Sequence, residues 1–304
     1  MDDNTKIGAV TVTFNSAQVI DGFMRSVLAQ DHSNFAIFIV DNISRDDTLQ
    51  RVSRYSDSRI RVLANAKNLG IAQANNQGTE AALAAGCGFV LFINNDTEFE
   101  PDLLRKLLVG LSQSSSDMAT PKILFYDRQD KIWSAGGGFK TWKGYLGFHY
   151  GYGELDRGQF DAMRSVEHGP ACCLLVRREV FSKIGFMDER YFVYHDDTDF
   201  CFRAKRAGLK LIYLPSALLL HKASSLTGGP ESEFSVRYQT RNHIYFMLKH
   251  LGFWRSLLYL PAFQISLLLK LFSRKIDFAN FSLREKAFAE GIRVWRQSMS
   301  QTAG

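Results

Sequence analysis

Short apolar runs, each closed by a polar cluster and followed by a segment of helical spacing, recur through the first 111 residues. Residues 7–14 are apolar and β-branched and end at Asn15-Ser16, which predicts a strand. Apolar Val19, Ile20, Phe23, Val27 and Leu28 then repeat at helical intervals. Residues 35–40 predict a second buried strand; Asp41-Asn42 follow directly, and Asp46-Asp47 cap the next helix. Residues 59–63 predict a third, shorter strand, 65–70 a loop and Ala-rich 71–85 a helix. Residues 87–93 predict the fourth strand, which runs into Asn94-Asn95-Asp96-Thr97-Glu98 before Pro101 opens an amphipathic helix. Strand-then-helix units in succession argue for a parallel sheet wound in the right-handed sense.

Beyond Leu111 the rhythm breaks. Residues 119–125 predict a strand, whereas 133–160 are rich in Gly and aromatics without a helical period and predict loops and hairpins over the sheet edge. A buried strand follows at 171–176, then one or two helical turns at 178–185. The stretch 191–203 opens a helix that Gly208 ends. Residues 209–214 and 216–221 predict two more strands, and 222–232 a loop of small residues. Helical character prevails afterwards, over 234–251, 254–272 and 283–295. No repeat of fixed period is present. The expected organisation is an α/β domain over residues 1–232, in halves 1–111 and 112–232, with a helical extension over 233–304.

Composition narrows the class. Hydrophobic residues make up 46% and charged residues 22% of the 304, an ordinary globular balance. The four cysteines, Cys87, Cys172, Cys173 and Cys201, show no CxxC spacing. Neither a disulfide framework nor a zinc site is expected, and a reducing compartment fits. The acidic start, Met1-Asp2-Asp3-Asn4, does not resemble a signal peptide, so a cytoplasmic location is expected. Net charge is +6 but lopsided: from Arg237 onward there are eleven Lys/Arg and three Asp/Glu, so the first 236 residues carry −2. Apolar stretches between the tail's charges argue against nucleic-acid binding. Fourteen uncharged residues, 256–269, flanked by Arg255 and Lys270, make a helix of about 21 Å, shorter than the roughly 30 Å hydrocarbon core. Peripheral membrane contact through 253–275 is therefore one expectation for the tail, at the cytoplasmic face. Packing on the domain or in a homo-oligomer is the other.

Three acidic clusters carry the candidate chemistry: Asp41-Asn42, Asn94-Asn95-Asp96 and Asp196-Asp197-Thr198-Asp199. In a doubly wound sheet, loops after adjacent strands meet in one crevice. The first cluster suits the edge of a nucleobase. The second suits a hard divalent cation that shares its shell with phosphate oxygens. The third opens a helix, where the backbone dipole favours carboxylates; one Asp can cap while its neighbour serves as a base.

Taken in order, 12–15, 40–44 with Asp47-Thr48, 68–70 with 75–78, and 92–96 resemble the nucleotide-sugar half of family 2 inverting glycosyltransferases. Residues 169–178 are similar to that family's acceptor-side strand, and 192–203 to its Glu-Asp-x-Asp-x-Cys-x-Arg segment. Tyr238-x-x-Arg-Asn242 resembles the rhamnosyltransferase-like branch. The resemblance covers roughly residues 6 to 250. It implies a GT-A fold, an α/β architecture whose Rossmann-like, mostly parallel central sheet is flanked by helices, with the C-terminal helical extension. By position it implies that Asp41, with Thr13, Asn15, Asn68 and Gly70 close by, contacts the nucleotide. Asn94 and Asn95 line the same site, and Asp96 with His221 holds Mg²⁺ or Mn²⁺ on the diphosphate. Asp197 becomes the base. Trp133, Gly169 and Asp196 fall on the acceptor side.

Two departures stand out. Asn-Asn-Asp has fewer acids than many relatives show at the metal motif, and Asp196-Asp197 replaces Glu-Asp at the base motif. The implied activity moves a sugar, rhamnose from deoxythymidine-diphosphate rhamnose in the favoured reading, to a glycan or lipid-linked glycan in cell-surface polysaccharide synthesis. Two alternatives stay open: a uridine-diphosphate hexose or galactofuranose donor, and a binding protein without turnover. A lid over the diphosphate, built from 222–230, is a further expectation.

Overall fold

The first strands are apolar on both faces because helices cover both sides of the sheet. The computed structural model describes residues 5–223, 229 and 231–302. The chain divides into two compact units: residues 1–138, 147–192 and 196–223, and residues 139–146, 193–195 and 224–304.

In the first unit, β1 (Ile7–Thr13), α1 (Ile20–Leu28), β2 (Phe35–Asp41), α2 (Thr48–Val52), β3 (Ile60–Ala64), α3 (Gly70–Ala84) and β4 (Phe89–Ile93) follow the expected alternation. Strands β3, β2, β1 and β4 lie side by side and parallel. Every residue of β2 and β4 is buried, whereas β3, at the sheet edge, is half exposed. Helix α3 sits tight on β1 through two glycines. A Cβ on Gly8 would lie 2.5 Å from Ala82, and one on Gly78 2.3 Å from Val10.

The chain continues through β5 (Thr97–Phe99), α4 (Leu103–Gln113), β6 (Met118–Phe125), β7 (Ile132–Ser134), β8 (Gly137–Lys140) and β9 (Leu146–His149). It then passes β10 (Arg164–Val166), β11 (Cys173–Arg177), α5 (Arg178–Ile184), α6 (Asp196–Arg206) and β12 (Leu211–His221). Strand β11 inserts antiparallel between β4 and β6, and β12 runs parallel to β6. Short β5, β7 and β10 add antiparallel to this half. The irregular stretch after β9 is tied down by Lys122, whose ammonium meets Asp156 at 2.8 Å and also Asp161, and by the Arg164 guanidinium stacked 4.4 Å over Tyr150.

Two segments differ from the sequence reading. Residues 209–214 and 216–221, expected as separate strands, form the single strand β12, whose pairing with β6 skips from Leu214 to Leu218. Pro215 lacks the N–H a ladder needs, so the strand bulges without ending. Residues 97–99, given no element in the sequence reading, form β5 against the end of β12.

The second unit is mostly helical: α7 (Glu233–His250), α8 (Gly252–Phe272) and α9 (Phe278–Thr302), the last longer than the expected 283–295. Gly291 lets α9 approach α7, since a Cβ there would stand 2.5 Å from the Arg241 carbonyl. Arg237 makes a forked ion pair with Glu290, at 2.9 and 3.0 Å. Asn242, fully buried, donates to the carbonyls of Val193 at 2.6 Å and Tyr194 at 2.9 Å.

Candidate active site

The carboxyl ends of β1, β2 and β4 deliver three polar groups to one rim of the sheet, as open α/β sheets do. At the end of β2, Asp41 Oδ1 accepts from the hydroxyls of Thr13 (2.7 Å) and Ser44 (2.6 Å), and Oδ2 from the Ser44 N–H (2.9 Å). Three donors occupy a carboxylate with about four acceptor sites, leaving capacity for one more. Asn15, in the left-handed region at φ 52°, accepts from Arg45 N at 2.8 Å and so shapes the 41–45 turn. Asn42 Nδ2 reaches the Gly70 carbonyl, and Asn68 Oδ1 accepts from Gly70 N–H at 2.9 Å. Gly70 has φ +82°, and a Cβ there would lie 2.5 Å from Phe192; only glycine suits this helix start.

After β4, Asn94 is exposed, with its N–H on the Cys172 carbonyl, while Asn95 is buried and donates its amide to the Val12 carbonyl. Asn95 Oδ1 and His221 Nδ1 have no hydrogen-bond partner among the described residues. Asp96 Oδ1 lies 3.3 Å from His221 Nε2, and the two residues are 7% and 6% exposed. The backbone places them there: Thr97 pairs with His221 in the β5–β12 ladder, and Lys222 N donates to the Asp96 carbonyl at 2.9 Å. With a protonated imidazole these two atoms form an ion pair. With a neutral one they offer one oxygen and one nitrogen to a common point, a donor set that fits a divalent cation completing its shell from phosphate and water. No third His, Cys, Asp or Glu joins them among the described residues.

The Asp196–Asp199 cluster separates into three environments. Asp199 is fully buried and bound by Arg203 at 2.7 Å and by the Tyr191 hydroxyl at 3.2 Å. Asp196 is also buried; burial first, and the Asp197 charge second, push its pKa up to about 8. Asp197 keeps 23% of its side chain exposed. Its Oδ2 accepts from Ala171 N (3.3 Å), and its Oδ1 from Thr198 N (2.6 Å). Asp197 therefore meets solvent, whereas Asp196 does not.

A line of rings joins the two carboxylates. Trp133 packs edge-on against His221 with centroids 4.5 Å apart and lies 4.8 Å from His149. His149 lies 5.3 Å from His168, whose Nε2 is 4.0 Å from Asp197 Oδ1 and 3.4 Å from Thr198 Oγ1. Burial lowers His168 to about 4, so at neutral pH it meets Asp197 as a neutral ring. Desolvation and then His168 lower His149 to about 3. Beneath them the Cys172 thiol is raised well above its usual value, by burial and then by the Asp96 charge, with Asp197 also contributing. Gly169 leads into this floor; a Cβ there would crowd Thr120 at 3.1 Å.

The structure thus gathers Asp96, His221, Trp133 and Asp197 at one end, and Thr13, Asn15, Asp41, Asn68 and Gly70 at the other. Asn95 bridges the β1 and β4 rims. Sequence reasoning missed His149 and His168; the only signal was a histidine within two residues of a glycine in each of 147–149 and 168–169. Of the expected lid, 224–228 and Pro230 lie outside the described residues. Asp196→Asn separates the adjacent acids. A carboxyl whose folded pKa is raised stabilises fully below its unfolded value of about 3.8 and progressively less as pH climbs through about 8. The Asn variant should therefore lose less stability than wild type between pH 4 and 8 in urea titrations.

The family model for glycosyl transferase family 2 matches residues 9–185. N-acetylglucosaminyl-diphospho-decaprenol L-rhamnosyltransferase of Mycobacterium tuberculosis is 27% identical over 267 residues, 81% of this chain and 86% of its own. dTDP-rhamnosyl transferase RfbF of Shigella flexneri is 23% identical over 72% of this chain and 69% of its own. The crystal structure of GalNAc-T7 with UDP, GalNAc and Mn²⁺ superposes with a TM-score of 0.60 at 15% identity. It covers 81% of this chain, which spans about half, 51%, of that one.

Proposed function

From a chain that belongs to glycosyl transferase family 2, we propose an inverting, metal-dependent sugar transfer from a nucleotide-sugar to a hydroxyl of a glycan or lipid-linked glycan. The observation that carries this reading is the separation of two carboxylate environments at one rim: Asp96 beside His221, and Asp197 partly open to solvent beyond the Trp133–His149–His168 rings.

In this reading the nucleotide lies along the β1–β2 rim. Asp41 uses its remaining acceptor capacity on the base, held by Thr13 and Ser44. Asn15, Asn68 and Gly70 shape the rim, and Asn94 and Asn95 line it. Asp96 and His221 hold Mg²⁺ or Mn²⁺. A divalent cation bound there supplies Lewis-acid stabilisation of the charge that grows on the departing diphosphate. Asp197, fixed by the Ala171 and Thr198 N–H groups, takes the proton of the attacking hydroxyl. A single displacement inverts the anomeric centre. Trp133, Gly169 and Asp196 stand on the acceptor side.

The donor is deoxythymidine-diphosphate rhamnose, a reading supported by the names of the two relatives. The setting is polysaccharide synthesis at the cytoplasmic side. A thermal-shift screen of nucleotide-sugars with and without Mn²⁺ tests it. A ligand at about 100 times its Kd stabilises by about 2.7 kcal/mol, and the largest shift should come from the rhamnose donor with Mn²⁺. A larger shift from a uridine-diphosphate hexose would replace the donor; no shift from any nucleotide-sugar would leave the functional reading without support.

His221→Ala removes one of two metal donors. The Mn²⁺ concentration for half-maximal transfer should rise by about 10- to 100-fold, the range seen when metal-site groups are removed. An unchanged Mn²⁺ titration would take His221 out of the site.

A further inference from the structure

Helix α8 is apolar on the side that faces away from its neighbours. Tyr259, Leu260 and Phe263 pack, together with Phe288 and Ile292, against Ile244, Met247 and Leu251, and Leu267 is buried. The opposite side carries Trp254, Leu258, Ile265, Leu269 and Phe272, between 57% and 79% exposed. With Pro261 and Leu268 these positions recur every three or four residues. They form one continuous stripe of about 27 Å at 1.5 Å per residue. Apolar patches of this extent mark a docking surface.

Charge decides what docks. Between Glu233 and Asp277 the sequence has no Asp or Glu. Exposed Arg255 stands at one end of the helix, and exposed Arg274 and Lys275 follow its other end. A second copy of this chain, laid parallel or antiparallel on the stripe, would set cations against cations. An anionic surface neutralises both ends at once. Crossing a bilayer is opposed by the neighbours, because α8 is packed along α7 and α9, which carry Arg237, Arg241 and Glu290. Charged groups of that kind are costly in hydrocarbon.

We propose that α8 is an in-plane membrane helix, with its Trp254–Phe272 stripe set into the headgroup and acyl boundary of an anionic leaflet and its terminal cations on the lipid phosphates. Its basis, the face of α8, is independent of the catalytic assignment. Flotation of the full chain with vesicles tests it. With about 30% phosphatidylglycerol in phosphatidylcholine the protein should float, and it should stay behind with phosphatidylcholine alone or in about 0.5 M salt. Leu258→Glu with Leu269→Glu changes only exposed positions. Recovery should fall at least about tenfold, with melting temperature and nucleotide-sugar shifts as in wild type.

Failure of wild type to float on the anionic vesicles overturns the proposal, as does flotation of the double variant at wild-type yield. Retention after alkaline carbonate extraction would mean a span. A wild-type dimer in solution that the double variant turns into monomers, without flotation, would mean that a second copy covers the stripe. If wild type floats as expected yet binds no nucleotide-sugar, the surface stands and the functional reading falls.

Discussion

Asp197→Asn should lower transfer by about 10²- to 10⁴-fold, the usual contribution of a positioned general base, while the nucleotide-sugar's thermal shift stays within about 0.5 kcal/mol of wild type. The amide has the carboxylate's shape, so Ala171 N and Thr198 N, which now donate to the two carboxylate oxygens, still meet an oxygen on one side. It cannot hold the proton of an attacking hydroxyl. Geometry makes this a sharper test than the adjacent acids allow. Asp196 is buried and protonated up to about pH 8, and Asp199 is tied to Arg203, so neither can take over. A variant that retained the wild-type rate would move the base elsewhere on the rim, with Asp96 the next carboxylate to examine.

Asp199→Ala should produce the largest loss of stability in the first unit, about 3–5 kcal/mol, the cost of removing one member of a buried ion pair. Arg203 packs against this carboxylate with its side chain 19% exposed. Its other nitrogens donate to the carbonyls of Ile184 and Phe186. Without Asp199 the guanidinium keeps its desolvation cost and loses its counter-charge, and the Tyr191 hydroxyl loses its acceptor. Urea denaturation measures the difference directly. Asp197→Asn, at a partly exposed position, should change the midpoint little. A stability loss in Asp199→Ala below about 1 kcal/mol would mean that the pair contributes no more than a surface one.

Much of the architecture was legible because parallel strands covered on both faces must be apolar throughout, so residues 35–40 and 89–93 stand out from their surroundings. Strand β5 was illegible: its three residues include the half-exposed Glu98, and its partner, β12, lies more than a hundred residues later. Pro215 disguised β12 as two strands because a bulge and a chain break look alike in one dimension. Of the site, the acidic clusters were visible as residue types. The different environments of Asp196, Asp197 and Asp199 were not, since burial and partners distinguish them and adjacent positions share one sequence context. His149 and His168 sit in stretches without periodicity, and their meeting with Trp133 and Thr198 is a long-range event that no spacing encodes.

The three-residue ladder that sets Thr97 opposite His221 also bears on how tightly an ion can be held. On the proposed reading, the ladder sets the backbones of Asp96 and His221 before anything arrives, so an incoming cation would not need to order two loose segments. The entropic toll of assembling the cradle is met during folding. Such a cradle should show a steep, salt-tolerant Mn²⁺ isotherm even without nucleotide, and loosening the ladder with a proline at Leu220 should weaken that isotherm without touching either donor atom.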